Sequence, residues 1–270
     1  MIQPTPAPPL HVTDAAVLIT APNPGPMTLD GTNSYILRAA PDAAAVVVDP
    51  GPADEGHLQA LAGQGAVELI LITHRHGDHT EGIDRLHELT GAPVRAALAE
   101  HCRAAEPLVD GEVITVAGLA IQVVATPGHT SDSLCFLLPD DGHHGSVLTG
   151  DTVLGRGTTI LDFPDGTLGD YLASLDVLSG FGHAVLLPAH GPAHPHLGTV
   201  VEQYAEHRLQ RLDQVREALA RLGGAAAGAR PSIGEVTDLV YADVDPAVRG
   251  AAERSVAAQM HYLLGVSGAA

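Results

Sequence analysis

The chain has 270 residues, 45% hydrophobic and 3% aromatic with no Trp, and its 32 Asp and Glu against 13 Lys and Arg give a formal charge of -19. That length allows one large domain and a small one, with a core drawn mainly from Val, Leu, Ile and Ala. The acidity, and a basic complement that is all Arg, oppose general polyanion binding, because nucleic acid is gripped through cationic contacts to phosphate.

Residues 1–12 open with prolines and are expected to be flexible. They show neither a basic start nor an apolar h-region, and no apolar run reaches bilayer length, so the expectation is a soluble cytoplasmic protein without a membrane partner. Strand signals follow at Ala16–Thr20, Ser34–Leu37 and Ala44–Val48, punctuated by Asn23-Pro24-Gly25-Pro26 and Asp49-Pro50-Gly51. Helices are predicted over Ala53–Ala62 and Glu81–Leu89, the second with Ile83, Leu86 and Leu89 at helical spacing. Strands and turns alternate from Pro93 to Leu187, and the amphipathic helix Leu168–Leu178 interrupts them. Cys135 lies in the apolar run Ser133–Leu138 and should be buried. With Cys102 far away and no Cys-x-x-Cys pair, neither a thiolate metal site nor a disulfide framework is expected. Beyond His190 helices are predicted at Val200–Leu222, Ser232–Tyr241 and Pro246–Leu264, with a Gly/Ala-rich break at Gly223–Gly228. The expected organisation is a catalytic domain over 13–200 and a C-terminal helical domain over 201–270.

Four short segments carry the chemistry: His74-Arg75-His76-Gly77-Asp78-His79, Gly128-His129-Thr130, Gly150-Asp151 and Ala189-His190-Gly191. Each follows a short apolar run: Leu69–Thr73, Ile121–Ala125, Val147–Thr149 and Ala184–Leu187. Such runs read as buried strands, so the ligands sit in loops that rigid strands can converge at one sheet edge. His74, His76 and His129 are expected on one metal and Asp78, His79 and His190 on a second, with Asp151 bridging. Imidazole with carboxylate suits two zinc ions, and also iron or manganese. A bridged pair lowers the pKa of a shared water and polarises the oxygen under attack. Asp78 can also orient the nucleophile, so Asp78 and Asp151 are the candidate catalytic residues. His11, His57, His87, His101 and His261 have no partner motif and read as structural or solvated. His143-His144 read as an exposed hairpin turn.

Together these segments resemble the signature of the metallo-β-lactamase superfamily, from about residue 15 to 200. The resemblance implies an α+β fold, an αββα sandwich with the site at one edge of two packed sheets. Asp151, in Thr149-Gly150-Asp151-Thr152, resembles the bridging aspartate of the hydrolase branches, which true β-lactamases generally lack. Asn23–Tyr35, Gly155–Ile160 and Tyr204–Arg208 resemble segments of the β-lactamase-like protein 2 group, which implies a small winged-helix-like C-terminal domain. That group includes a single-strand-specific endoribonuclease, and related proteins are thioesterases acting on carrier-bound polyketides. The chain departs from the group in having no Lys and no hairpin sequence for a wing.

The expected function is that of a dinuclear zinc-dependent hydrolase of an ester or thioester whose acyl group is small or carrier-bound. Cleavage of single-stranded RNA is the alternative, and a true β-lactamase or a non-catalytic binding module fits less well. A homodimer is compatible with the chain. Thr32, Asn33, Arg156, Thr158 and Thr159 lie in segments that resemble the group's pocket loops and are candidate substrate contacts. Arg156 is the candidate for a carboxylate or phosphate. Tyr204, His207 and Arg208 are expected to pack the C-terminal unit against the first domain.

Overall fold

The computed structural model describes residues 8–223, 230–243 and 249–265. Its first sheet runs in the order β1 (Leu10–His11), β2 (Ala16–Thr20), β3 (Asn33–Leu37), β4 (Ala45–Val48), β5 (Val67–Leu71), β6 (Val94–Arg95). Pairing is antiparallel from β1 to β4 and parallel from β4 to β6. The second sheet runs β11 (Val185–Pro188), β10 (Ser146–Gly150), β9 (Leu134–Leu138), β8 (Leu119–Ala125), β7 (Val113–Val116). There β10 and β11 are parallel and the remaining pairs antiparallel.

The strands read as continuous apolar runs because both of their faces are covered. Along β4, Val46 and Val48 enter the core between the sheets, while Ala45 and Val47 face the outer helices. The same alternation sends Leu69 and Leu71 inward from β5 and Ile70 outward. In the second sheet Leu134, Phe136 and Leu138 point inward, and Cys135 and Leu137 outward. The outer helices α1 (Glu55–Ala62) and α3 (Ile83–Thr90) cover the first sheet, and α4 (Leu168–Ser179) and α5 (Leu197–Gly223) the second. The layers are therefore α, β, β, α, as the resemblance implied.

A short α2 (Gly77–Thr80) runs through the first histidine segment itself. The helix expected over Glu81–Leu89 is α3, which starts two residues later at Ile83 and is separated from α2 by Glu81 and Gly82. The C-terminal unit packs the far half of α5 against α6 (Ile233–Val240) and α7 (Arg249–Leu264) around Val215, Ala218, Val236, Val256 and Met260. Ser232 and Glu235 close α6 with a reciprocal capping box. No strand follows β11 among the described residues, so the unit is helical and the winged-helix detail finds no wing there. The expected boundary at residue 200 falls inside α5, one helix of 27 residues. Of the N-terminal stretch expected to be flexible, residues 1–7 lie outside the described residues, and Leu10 and His11 pair with β2. The Gly/Ala-rich break lies outside them apart from Gly223, as does the start of the helix expected from Pro246. Among the described residues no helix is long and apolar enough to cross a membrane.

Candidate metal centre

Five strand ends meet at one edge: Asp49 follows β4, His74–His79 follow β5, His129 follows β8, Asp151 follows β10 and His190 follows β11. Glycine makes two of these exits possible. Gly128 adopts φ +138°, and a Cβ there would stand 2.4 Å from the Cα of Tyr171 on α4. Gly150 adopts φ +51°, and its Cβ would meet Thr73 at 2.8 Å. Any larger residue would push His129 or Asp151 off the edge.

The donor atoms of His74, His76, His129 and Asp151 lie within 4.8 Å of one another, and those of Asp78, His79 and His190 form a second such group. His74 Nε2 and His129 Nε2 each stand 3.0 Å from His76 Nδ1. The Asp151 carboxylate lies between the groups. Its Oδ2 is 3.6 Å from His129 Nε2 and 4.0 Å from His74 Nε2. Its Oδ1 is 3.2 Å from His190 Nε2 and 3.6 Å from His79 Nε2. Asp78 Oδ2 is 3.3 Å from both His79 Nε2 and His190 Nε2.

The outer hydrogen bonds settle which nitrogens carry hydrogen. His129 Nδ1 donates to Ile160 O at 2.6 Å, His190 Nδ1 to Gly31 O at 3.2 Å, and His79 Nδ1 to Asp49 Oδ2 at 2.8 Å. These acceptors have no hydrogen to give. The Thr73 hydroxyl donates to Asp49 Oδ2 at 2.7 Å, so at its 3.1 Å contact it accepts from His74 Nδ1. In its neutral form each of these rings therefore turns a bare Nε2 lone pair to the centre. Two of them face one His76 nitrogen that has at most one hydrogen to share. His79 Nε2 and Asp151 Oδ1 are buried without a hydrogen-bond partner. Imidazole nitrogens and carboxylate oxygens converging at this spacing, backed by hydrogen-bonded outer nitrogens, fit a divalent cation that would displace any proton held there.

The local field agrees. Burial alone would raise the carboxyls of Asp151 and Asp78, but His190 and His79 outweigh it and hold both well below the ordinary range. Burial pushes His74 and His129 down. It would push His79 and His190 down as well, but Asp49 and Asp151 raise His79, and Asp151 and Asp78 raise His190 to about 9.

Sequence reasoning read Asp49 only as a turn residue. It anchors the edge, accepting from the Thr73 amide at 2.8 Å as well as from Thr73 Oγ1 and His79. It does so at φ 55°, a left-handed conformation that costs a non-glycine residue about 1 kcal/mol or more. A carboxylate ending a buried strand beside the first histidine strand was the available signal. Arg75 also escaped notice: it ion-pairs with Asp162 at 2.5 Å and with Asp165, tying the loop before α4 to the histidine segment.

The candidate substrate residues fall in different places. Thr32 is buried, and its hydroxyl donates to Asp78 Oδ2 at 2.9 Å. Asn33 is buried and donates to the carbonyls of Pro188 and Gly191, both at 2.9 Å, which pins the His190 loop to β3. Thr159 is buried with its hydroxyl 3.2 Å from His129 Nδ1, and its carbonyl accepts from Arg208 at 2.5 Å. Thr158 is exposed, and so is Arg156, which pairs with Asp30 at 3.0 Å. Tyr204 and Arg208 join the units as expected: the Tyr204 hydroxyl accepts from the Leu154 amide at 3.0 Å, and Arg208 lies 4.9 Å over the Tyr171 ring. His57 is buried against the Ser34 hydroxyl, while His143 and His144 are exposed.

Residues 27–190 match the profile of the Metallo-beta-lactamase superfamily. The Beta-lactamase-like protein 2 homolog of Caenorhabditis elegans is 32% identical over 258 residues, 91% of this chain and 82% of its own length. The Lactamase-like protein nscB of Aspergillus fumigatus is 32% identical over 78% of this chain, which spans only 63% of that relative. The Atrochrysone carboxyl ACP thioesterase of Aspergillus chevalieri is 32% identical over 77% of this chain and 67% of its own. Among solved structures, a metallo-beta-lactamase family protein from Thermus thermophilus aligns with a TM-score of 0.75 at 23% identity, covering 94% of this chain and 95% of that one. A smaller relative solved in a di-iron-bound form aligns with a TM-score of 0.53 at 26% identity, over 67% of this chain and 94% of its own. With the two-sheet sandwich, the histidine edge and the matched profile in agreement, this chain belongs to the metallo-β-lactamase superfamily and carries a His/Asp cluster that fits a divalent metal.

Proposed function

We propose that the chain is a dinuclear zinc hydrolase of an ester or thioester whose acyl group is small or carrier-bound. The observation that carries the reading is the Asp151 carboxylate, with one oxygen turned to each donor group. His74, His76 and His129 would hold one ion, Asp78, His79 and His190 the other, and Asp151 both. When bound, the pair supplies hydroxide at neutral pH and polarises the carbonyl under attack.

The remaining work falls to the chain. Asp49, Ile160 and Gly31 fix the imidazoles from behind. Thr32 holds the partly exposed Asp78 carboxylate. Because that carboxyl is held well below its ordinary range, it is a poor store for a proton. Its part is to accept a hydrogen bond from the attacking water and so orient it.

The thioesterase name of one relative supports an acyl substrate. The charge of -19 and the absence of Lys weigh against RNA. Iron is the main competitor for zinc, given the di-iron form of one structural neighbour. The test assays a carrier-bound acyl thioester and a labelled single-stranded RNA side by side, with elemental analysis and Asp78→Ala as the control. Thioester turnover lost in the control is the expected result. RNA cleavage lost in the control, without thioester turnover, would overturn the acyl reading.

A further inference from the structure

A cavity of about 220 Å³ lies where the C-terminal unit meets the catalytic layer. Its floor is Thr158-Thr159-Ile160. His207, Arg208 and Arg211 line one side from α5, where Arg211 lies three and four residues beyond the other two and so neighbours both. Ala251, Ala252 and Ser255 of α7 line the other, and these small side chains are what leaves the space open. Tyr241 completes the wall.

The chemistry of this lining differs from the rest of the molecule. A chain with a formal charge of -19 has placed two guanidiniums and an imidazole around one cavity with no carboxylate in its lining. Among the described residues neither Arg208 nor Arg211 forms an ion pair, whereas Arg75, Arg85, Arg95 and Arg103 all do. Arg211 is held ready by other means. Its guanidinium stacks 4.9 Å over the Tyr241 ring, and Nη1 donates to Gln214 at 2.9 Å. Arg208 is 5% exposed and its Nε has no partner, and His207 Nδ1 is buried and also unsatisfied. Burial pushes the His207 imidazole down, and the positive charges of Arg208 and Arg211 beside it add to that. An anion would satisfy these charges, and phosphate matches arginine geometry best.

The cavity shares a wall with the metal edge. Thr159 lines the cavity and puts its hydroxyl 3.2 Å from His129 Nδ1, and the Ile160 carbonyl accepts from the same nitrogen. Resting on the acyl-thioester reading above, we propose that this cleft is an anion subsite. It takes the phosphate at the head of a pantetheine-type arm while the thioester at the arm's other end reaches the metal edge. A single phosphate suits a small cationic cleft on an acidic protein, where a long polyanion would be repelled by the surrounding surface.

The test compares 4′-phosphopantetheine with pantetheine by calorimetry on the metal-free full-length chain, so that neither thiol nor phosphate can bind a metal. The phosphorylated arm should bind at least about tenfold more tightly, the worth of one charge-assisted hydrogen bond. Arg211→Ala should erase that advantage, and Arg211→Lys, which keeps the charge, should retain most of it. Equal affinities in the wild type, or an advantage that survives Arg211→Ala, would overturn the subsite. Hydrolysis by the metal-loaded chain separates this failure from that of the acyl reading. If S-acetylpantetheine and its phosphorylated form are turned over with the same KM, the subsite falls and the acyl reading stands. If the phosphate is bound but neither thioester is turned over, the subsite stands and the acyl reading falls. Acyl-coenzyme A and an acylated carrier protein, assayed in parallel, identify the source as the substrate whose kcat/KM drops in Arg211→Ala. A single-stranded RNA that displaces phosphopantetheine by binding more tightly would give the cleft to RNA and overturn the arm.

Discussion

At the metal edge, side chains from four separate segments converge, and the imidazoles are steered by hydrogen bonds to groups such as Asp49, Ile160 and Gly31. At the joint with the C-terminal unit, one buried guanidinium, that of Arg208, ties α5 to both the Thr159 carbonyl and the Tyr171 ring. Both places hold buried polar atoms without a partner, but at the edge they converge on one point, whereas at the joint the Arg208 guanidinium is fixed by a carbonyl and a ring. Loss of an edge residue should therefore remove chemistry and spare the fold, whereas loss of the Arg208 guanidinium should weaken the fold and lower turnover far less.

The largest expected effect lies at the edge. Asp78→Ala should lower kcat by at least about a thousandfold. The metal-free form should still unfold in one cooperative urea transition, because the Asp78 side chain is only partly buried. Asp151→Ala should reduce the metal content from two ions per chain to one or none, as measured by elemental analysis. Either variant keeping full turnover would break the division between edge and joint.

Arg208→Ala is the converse. It removes a buried stack and leaves the Thr159 carbonyl unpaired, so urea unfolding should show a loss of about 2–4 kcal/mol. Thr159 and Ile160 contact His129, so kcat should fall too, by roughly tenfold. A kcat loss as large as that of Asp78→Ala would mean that the joint is part of the active site.

Stripping the metal sharpens the contrast through pH. In the metal-free chain His79 and His190 sit above the ordinary histidine pKa, so their contribution to stability is full below about pH 6.5 and is lost as pH rises through the folded values, about 9 for His190. Asp78 and Asp151 sit low, so their contribution is present above about pH 4 and is lost on further acidification. His74 and His129 are also held low, and as bases they favour the unfolded state once pH falls below about 6.5. Thermal melting of the metal-free chain should therefore peak near pH 6–7. Zinc titrated in at pH 7 should expel about two protons, from His79 and His190. Calorimetry in buffers of different ionisation enthalpy counts them, and a count of zero would refute the protonated state of that half.

The edge was largely legible because its information is local. Each ligand segment directly follows an apolar run, and a strand buried on both faces leaves the sheet only at its end. What escaped was non-local. Asp49 acts on Thr73 and His79, 24 and 30 positions away, and Thr32 acts on Asp78, 46 positions away. No spacing rule connects such pairs. The Thr32 region was recognisable as belonging near the site, but whether its hydroxyl meets a substrate or a ligand depends on the packing of β3 against α2. The joint was hardest to read. α5 continues through the expected boundary without a breaker, and the cavity beneath it exists because Ala251, Ala252 and Ser255 fall opposite two arginines contributed by another helix.

The smallest effect should come from Arg249, a second arginine of the same unit. It pairs with Asp238 on α6 at 2.8 Å and with Glu253 one turn along α7 at 3.1 Å, which gives it more ionic partners than Arg208 has. Its side chain is 45% exposed and its partners are similarly open. Water already solvates all three groups, and holding long side chains in one geometry costs entropy, so exposed pairs contribute little. Arg249→Ala should shift Tm by no more than about 2 °C, and 0.5 M salt should erase the shift. Activity should not change, since neither partner touches the metal edge or the cleft. Set against Arg208→Ala, the result separates burial from charge pairing as the source of the joint's strength. A loss at Arg249 matching that at Arg208 would mean that the α6–α7 contact, and not the guanidinium beneath α5, holds the C-terminal unit together.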